Sequence, residues 1–151
     1  MTDQFDLAEV SWERTRETLL GIRFSVFVEE QGVPPELEAD ALDAEARHLL
    51  VTDRTGLAVA TARLLDNGHI GRMAVLASHR GNGLGMRMLR QLMQMAEDAG
   101  VQRIYLNAQC SAEGFYQRAG FRAEGEVFED AGIPHRRMYR VLGDDNPRDD
   151  N

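Results

Sequence analysis

A glycine-rich turn near the middle of the chain leads directly into an apolar helix. The turn reads Arg-Gly-Asn-Gly-Leu-Gly from Arg80 to Gly85, and apolar residues then recur at helical spacing over residues 84–98. The first turn of a helix presents unpaired N–H groups and roughly half a positive charge, and glycines let an anion approach them closely. The sequence therefore predicts a phosphate-binding turn between a strand and a helix.

Two common phosphate-binding motifs are excluded by the residues around this turn. The dinucleotide motif G-x-G-x-x-G would need its third glycine at Met86 or Met88. The P-loop of nucleoside triphosphatases needs a lysine, whereas all 17 basic residues of this chain are arginines. The pattern that remains is R-x-x-G-x-G after an apolar strand.

This pattern and a second segment resemble the two signatures of the GNAT family of N-acetyltransferases. Residues 70–85 resemble the acetyl-CoA signature of that family in register, and residues 114–121 are similar to its second signature. The resemblance covers residues 12–142. Residues 23–31 and 130–135 are further similar to the ElaA-type branch of the family.

The resemblance implies an α/β acyl-CoA N-acyltransferase (GNAT) fold. In this fold a mixed, mostly antiparallel sheet with a central parallel pair is flanked by helices. The resemblance also implies direct transfer of an acetyl group from acetyl-CoA to a primary amine in a ternary complex. Contacts to acetyl-CoA are implied for Met73, Ala74, Val75, Arg80, Gly81, Asn82, Gly83, Leu84, Gly85, Met86, Asn107, Gln109 and Tyr116.

Two departures from the family pattern affect these contacts. Many members have Asp-Pro after the strand where this chain has Leu76-Ala77, so the path into the phosphate turn is left open. Many members have an asparagine seven residues before the tyrosine, where this chain has Gln109. Either Gln109 or Asn107 is therefore expected to contact the pantetheine arm.

The resemblance puts Tyr116 at the position of the general acid. A phenol has a pKa of about 10, so it is protonated at pH 7 and can donate to the leaving thiolate. The alternative for Tyr116 is a packing role on a short amphipathic helix. A covalent route through Cys110 is disfavoured because no histidine or lysine accompanies it locally in the sequence.

A general base is also expected, because an amine with a pKa of about 10 arrives protonated. His135 is a candidate since it follows a Gly-Ile-Pro turn, and Glu30 is its main rival, with Asp40, Asp43 and Glu129 behind it. The four histidines, at positions 48, 69, 79 and 135, show no metal-binding spacing, so no metal is expected.

Net charge and cysteine content limit the binding partners and the cellular location that we expect. A formal net charge of −8 argues against nucleic acid and anionic membranes as partners. No apolar run reaches membrane-span length, and residues 1–4 do not resemble a secretory leader. With a single cysteine, a cytoplasmic protein is the expectation.

The acceptor is predicted to be a small-molecule or peptide amine, and a homodimer is compatible with the sequence. Acidic residues in the segment expected to cover the acceptor, Glu29, Glu30, Asp40 and Asp43, favour a cationic acceptor. Two other functions stay open at this point. One is a non-catalytic acyl-CoA-binding regulatory or interaction module, and the other is acetylation of a protein or peptide amine.

The apolar pattern predicts one GNAT domain over residues 1–142 and an acidic, disordered tail over residues 143–151. Strands are expected at 5–10, 48–53, 57–65, 69–76 and 102–109, followed by a closing hairpin of 121–127 with 135–142. The strands 48–53, 57–65 and 69–76 should form a meander. Helices are expected at 12–30, with a weak point at Gly21, at 84–98, and from a Ser111 cap to Gly120. The second helix should keep Leu84, Met88, Leu89, Leu92, Met93 and Ala96 on one face, and Ile104, Leu106 and Ala108 of the strand 102–109 should face one way.

Overall fold

The computed structural model describes residues 4–35 and 40–142. These ranges contain seven strands: β1 Phe5–Val10, β2 Arg47–Asp53, β3 Ala58–Leu64, β4 Ile70–Val75, β5 Arg103–Gln109, β6 Arg122–Asp130 and β7 Ile133–Val141. The α-helices are α1 Trp12–Arg23, α2 Leu84–Asp98 and α3 Glu113–Arg118. A π-helix, Phe24–Glu30, continues α1, and short 3-10 turns cover Ala41–Glu45, Ala77–His79 and Cys110–Ala112. The predicted acidic tail lies outside the described residues.

The strands form two antiparallel sheets that meet at one point. The first sheet has the order β1-β2-β3-β4, which confirms the predicted three-strand meander, and the second has the order β5-β7-β6. A single parallel bridge, His69 to Tyr105, joins them, with the Tyr105 N–H donating to the Gly68 carbonyl at 3.0 Å. Beyond that bridge β4 and β5 diverge and leave a gap. The predicted mixed, mostly antiparallel architecture is confirmed.

Helix α2 closes one face of the molecule with its apolar side. Met88, Leu89 and Leu92 are fully buried among residues of β3, β4 and β5. The alternate residues of β5, Ile104, Leu106 and Ala108, face this core as predicted. Met93 lies at the edge of this face, half-buried against the core, and Met95, which was not predicted there, is buried with Met88.

The first helix does not weaken at Gly21. It stays α-helical to Arg23 and then widens into the π-helix, whose last turns bond Gln31 N–H to the Val26 carbonyl at 3.1 Å. Glycine costs a helix only about 1 kcal/mol, which packing against the sheet offsets. π-Helical turns are rare and frequently lie at functional sites.

Two further local predictions need correction. Ser111 does not cap α3, since residues Cys110–Ala112 form a 3-10 turn that runs into the helix and Ala112 is its cap without a side-chain bond. The closing hairpin is longer than predicted and turns at Ala131-Gly132, where φ is +54° and +77°. Such positive φ values fit a two-residue type I′ turn.

No helix in the described ranges combines the length and the apolar character that a membrane span requires.

Candidate active site

A cavity of about 310 Å³ occupies the gap between β4 and β5. The end of the π-helix and the β6–β7 turn complete its walls. Five of the predicted site residues line it: Met73, Asn107, Gln109, Tyr116 and His135. The other lining residues are Phe27, Gln31, Val33, Arg63, His69, Ile70, Gly71, Arg72, Leu106, Ala112, Asp130, Ala131 and Ile133.

A β-bulge shapes the β4 wall of this cavity. The register with β3 shifts between the pairs Thr61–Ala74 and Arg63–Gly71, so one extra residue of β4 stands opposite β3. At this bulge Arg72 has a φ of +51°, a backbone conformation that few residues other than glycine adopt. A bulge bends its strand and turns the neighbouring peptide groups away from the ladder. Nothing in the local sequence indicated it.

The space beside the backbone of the predicted phosphate turn is open at Gly81 and Gly83. Gly81 and Gly83 have φ values of +85° and +75°, and a Cβ on either would meet no atom within 4 Å. Gly83 caps α2 without any side chain to satisfy the first N–H groups of the helix. The Asn82 amide donates to the His79 carbonyl at 2.9 Å and fixes the turn. The N–H groups of Leu84, Gly85 and Met86 follow at the helix start, so the turn fits a phosphate group.

Gly85 has a second structural reason to be glycine. A Cβ there would come within 3.3 Å of the Phe115 ring, so α2 and α3 approach closely at this point. The side chain of Ala74 also faces away from the cavity and packs with Ile22 and Val26. Any contact of Ala74 with a co-substrate would therefore involve its backbone.

Arg80 holds Glu30 outside the cavity. The guanidinium donates to both carboxylate oxygens of Glu30 at 2.6 and 2.7 Å, and its Nε donates to the Val75 carbonyl at 2.9 Å. The bond from Arg80 lowers the pKa of Glu30. Glu30 does not belong to the cavity lining, so the structure brings it to the phosphate turn and not to the other predicted catalytic residues.

Tyr116 stands on the cavity wall within an aromatic group. Its ring packs edge to face on Phe115 at 4.9 Å and on Phe121 at 5.9 Å. Burial raises the pKa of Tyr116 to about 12, so the phenol is protonated at neutral pH. Its hydroxyl makes no hydrogen bond within residues 4–35 and 40–142, and this leaves the proton available for another partner.

His135 and Gln109 occupy facing positions on β7 and β5. The His135 Nδ1 donates to the Ile133 carbonyl at 2.7 Å, and since a carbonyl only accepts, the lone pair of the neutral ring is on Nε2. The Gln109 amide donates to Gln31 Oε1 at 2.9 Å and ties the end of β5 to the end of the π-helix. Asn107, the alternative amide, also lines the cavity.

Two of the predicted acidic-rim residues belong to an ion cluster and not to an open rim. Asp43 is 1% exposed and accepts two bonds from Arg23, at 2.9 and 3.0 Å, and one from Arg63 at 2.9 Å. Burial acts to raise the pKa of Asp43, but the bonds from Arg23 and Arg63 lower it to about 2. Asp40 accepts from Arg63 and Arg72 at 2.8 and 3.1 Å. Asp40 and Asp43 therefore do not support the prediction of a cationic acceptor, because arginines neutralise them.

His48, His79 and Cys110 do not line the cavity. His48 is buried, donates to the Asp43 carbonyl at 2.8 Å and stacks on Trp12. His79 contacts Asp53 at 3.4 Å. Burial and Glu113 raise the pKa of the Cys110 thiol, so the thiolate that a covalent route needs is disfavoured. Within the described ranges, no group of His, Cys, Asp and Glu side chains is arranged to hold a metal.

Comparison with known sequences and structures agrees with this architecture. The family model described as "Acetyltransferase (GNAT) domain" matches residues 12–142. The chain is 40% identical over 122 residues to the uncharacterized N-acetyltransferase YjcF of Bacillus subtilis, covering 79% of this chain and 87% of that protein. It is 35% identical over 132 residues to the protein ElaA of Escherichia coli, covering 82% and 86% of the two chains.

A solved structure also matches this chain along most of its length. The crystal structure of an acyl-CoA N-acyltransferase from Pseudomonas aeruginosa superposes with a TM-score of 0.82 at 34% identity, covering 90% of this chain and 99% of that one. With the diverging strands, the open glycine turn and the matched sequence, the chain belongs to the GNAT acetyltransferase family and is an acyltransferase.

Proposed function

We propose that this enzyme transfers the acetyl group of acetyl-CoA to a primary amine, directly and within a ternary complex. The observation that supports this most is the shared cavity between β4 and β5. Tyr116, His135 and the bulged β4 segment all line it, and the glycine turn lies at the start of the helix that follows β4. A proton donor, a proton acceptor and a phosphate-binding turn are the parts that such a transfer requires.

Acetyl-CoA would supply the activated thioester, and several groups of this chain fit its parts. The backbone N–H groups of the turn and of the α2 start would bind the pyrophosphate, because no side chain caps them. Arg80 would add a charge-assisted contact. Asn107 or Gln109 would bind the pantetheine arm from β5, and both line the cavity.

Residues of β4 and α3 would assist the chemical step. The N–H groups of Met73 and Val75, next to the bulge, would stabilise the negative charge that develops on the carbonyl oxygen. Tyr116 would then protonate the leaving sulfur, since its raised pKa keeps it a donor at neutral pH. We infer direct transfer and not an acyl-cysteine, because Cys110 has a raised pKa and does not line the cavity.

His135 is the base that we favour over Glu30. Its Nε2 lone pair belongs to a ring in the cavity lining, while Glu30 is bound by Arg80 outside that lining. The cavity volume of about 310 Å³ is at the small end of ligand sites. This supports a small amine, or the end of a peptide side chain, as the acceptor. We place the reaction in the cytoplasm, in keeping with the single cysteine.

A screen of primary amines tests the proposal. Small amines, amino sugars and short peptides would be incubated with enzyme and acetyl-CoA while free thiol is measured, and each product would be checked by mass for one added acetyl group. We expect at least one amine to release thiol in proportion to its concentration. Thiol release that never depends on an amine, with CoA binding intact, would instead support an acyl-CoA-binding module.

A further inference from the structure

The amine nitrogen loses two protons in the proposed reaction. When an ammonium is acetylated, a C–N bond forms, the C–S bond breaks, and both protons leave the nitrogen. Tyr116 protonates the sulfur and is reprotonated by one of them, and the other leaves to solvent. We propose, on the basis of the function proposed above, that His69 accepts the first proton that the ammonium loses. His135 then accepts the second proton, which the nitrogen loses as the C–N bond forms.

His69 stands at the closed end of the gap in which the other reacting groups lie. It forms the single parallel bridge between the two sheets, and it lines the same cavity as Tyr116 and His135. Its ring stacks on Tyr105 with a centroid distance of 4.7 Å and an interplanar angle of 5°. Within the described part of the chain, neither ring nitrogen has a hydrogen-bond partner, and the half-buried ring reaches the cavity.

The charged groups around His69 favour its neutral form. Arg63 of β3, Arg72 of β4 and Arg137 of β7 act against protonation, and Asp40 acts for it. Burial, followed by these three arginines, lowers the pKa of His69. Asp130 and His135 lie in the lining of the same cavity. A neutral imidazole can accept a proton, and its cationic surroundings favour passing that proton on to solvent.

The same charges would act on the bound acceptor. Arg63 and Arg72 are paired with Asp40 and Asp43, but with Arg23 the cluster has, among the residues that the structure describes, three arginines against two aspartates and keeps a net positive charge. An ammonium beside it is therefore disfavoured relative to the free amine, so the site itself promotes deprotonation. His69 would provide the route for that proton. His69 is needed only when the amine arrives protonated, whereas His135 is needed for every amine.

The test compares two accepted amines that differ in pKa, for example an alkylamine near 10 and a peptide α-amino group near 8. At pH 8.5 the first is mostly protonated and the second mostly free. We expect His69→Gln to lower kcat/KM for the first amine by about 10-fold or more and to leave the second nearly unchanged. His135→Gln should lower both. Tyr105→Phe keeps the stacking ring and should resemble wild type.

Equal losses of kcat/KM with both amines in His69→Gln, or no loss with either, would overturn the proposal. An independent measurement is an NMR titration of the four imidazoles, with His69 identified by the signal missing from His69→Gln. We expect this ring to titrate below the ordinary value for histidine, and titration at or above that value also contradicts the proposal. A wild-type enzyme that acetylates no amine would instead refute the proposed function, whatever the titration shows.

Discussion

Arg80 and Glu30 form a two-bond ion pair, at 2.6 and 2.7 Å, between the phosphate turn and the end of the π-helix. Both side chains are partly exposed, at 42% and 39%. The guanidinium that would bind a phosphate is thus already occupied by a carboxylate. In the proposed phosphate site, an incoming phosphate would compete with Glu30 for Arg80, and Glu30 would then modulate binding and not act as a base.

Removing the charge of Glu30 should therefore strengthen CoA binding. We expect Glu30→Gln to lower the Kd for CoA by about threefold, because an exposed ion pair is worth about 0–1 kcal/mol. The kcat should stay close to wild type. Calorimetric titration with CoA checks the affinity, and Glu29→Gln, an exposed neighbour, is the control. Loss of kcat together with the acid limb of the pH–rate profile would make Glu30 the base after all.

A side chain at Gly83 should block the phosphate turn. Gly83→Asp fills the open space beside the α2 start and adds a repelling carboxylate, so CoA binding should be lost. Gly56→Asp is a matched control, since Gly56 has a φ of +90° and equally open space but lies in the β2–β3 turn. Arg80→Ala should weaken CoA binding less. Wild-type CoA affinity in a folded Gly83→Asp variant would refute the phosphate assignment.

Tyr116→Phe tests the proton donor. The ring packing on Phe115 and Phe121 is kept, so stability and CoA affinity should hardly change. The kcat should fall by about 10²-fold, because a positioned acid is lost, while the KM for acetyl-CoA stays constant. Single-turnover kinetics establish whether the chemical step limits the rate. An effect on KM alone would assign Tyr116 to binding.

Asp43→Asn tests the buried ion cluster. It leaves Arg23, which is 1% exposed, without its carboxylate, and such losses cost about 3–5 kcal/mol. Urea unfolding at pH 7 measures this free energy. Glu9→Gln, which breaks the exposed pair with Arg47, should cost about 1 kcal/mol or less.

The same cluster predicts how stability depends on pH. The pKa of Asp43 is lowered from 3.8 to about 2 in the folded protein, so its contribution is present above pH 3.8 and is lost as the pH falls toward 2. The difference in unfolding free energy between wild type and Asp43→Asn should therefore shrink over that interval. A constant difference down to pH 2 would contradict this assignment.

Local sequence patterns were enough to predict the strand–turn–helix unit and its glycine turn. These features depend on periodicity and on glycine conformations, which are local properties. The match to the two family signatures identified Tyr116 as a site residue. The Gly-Ile-Pro turn before His135 identified that residue as a second one. Both of them line the cavity. The alternation in β5 also identified which of its residues face the core.

The partners of the charged residues could not be predicted from the sequence, because they depend on how the chain folds. Arg80 and Glu30 are 50 positions apart, and Arg23 and Asp43 are 20 apart, so no local pattern relates them. The bulge at Arg72 arises from pairing with β3, and His69 enters the cavity only because β4 meets β5 at that residue. Charge and hydrogen bonding act between groups that folding brings together, whereas a sequence pattern reports on neighbours along the chain.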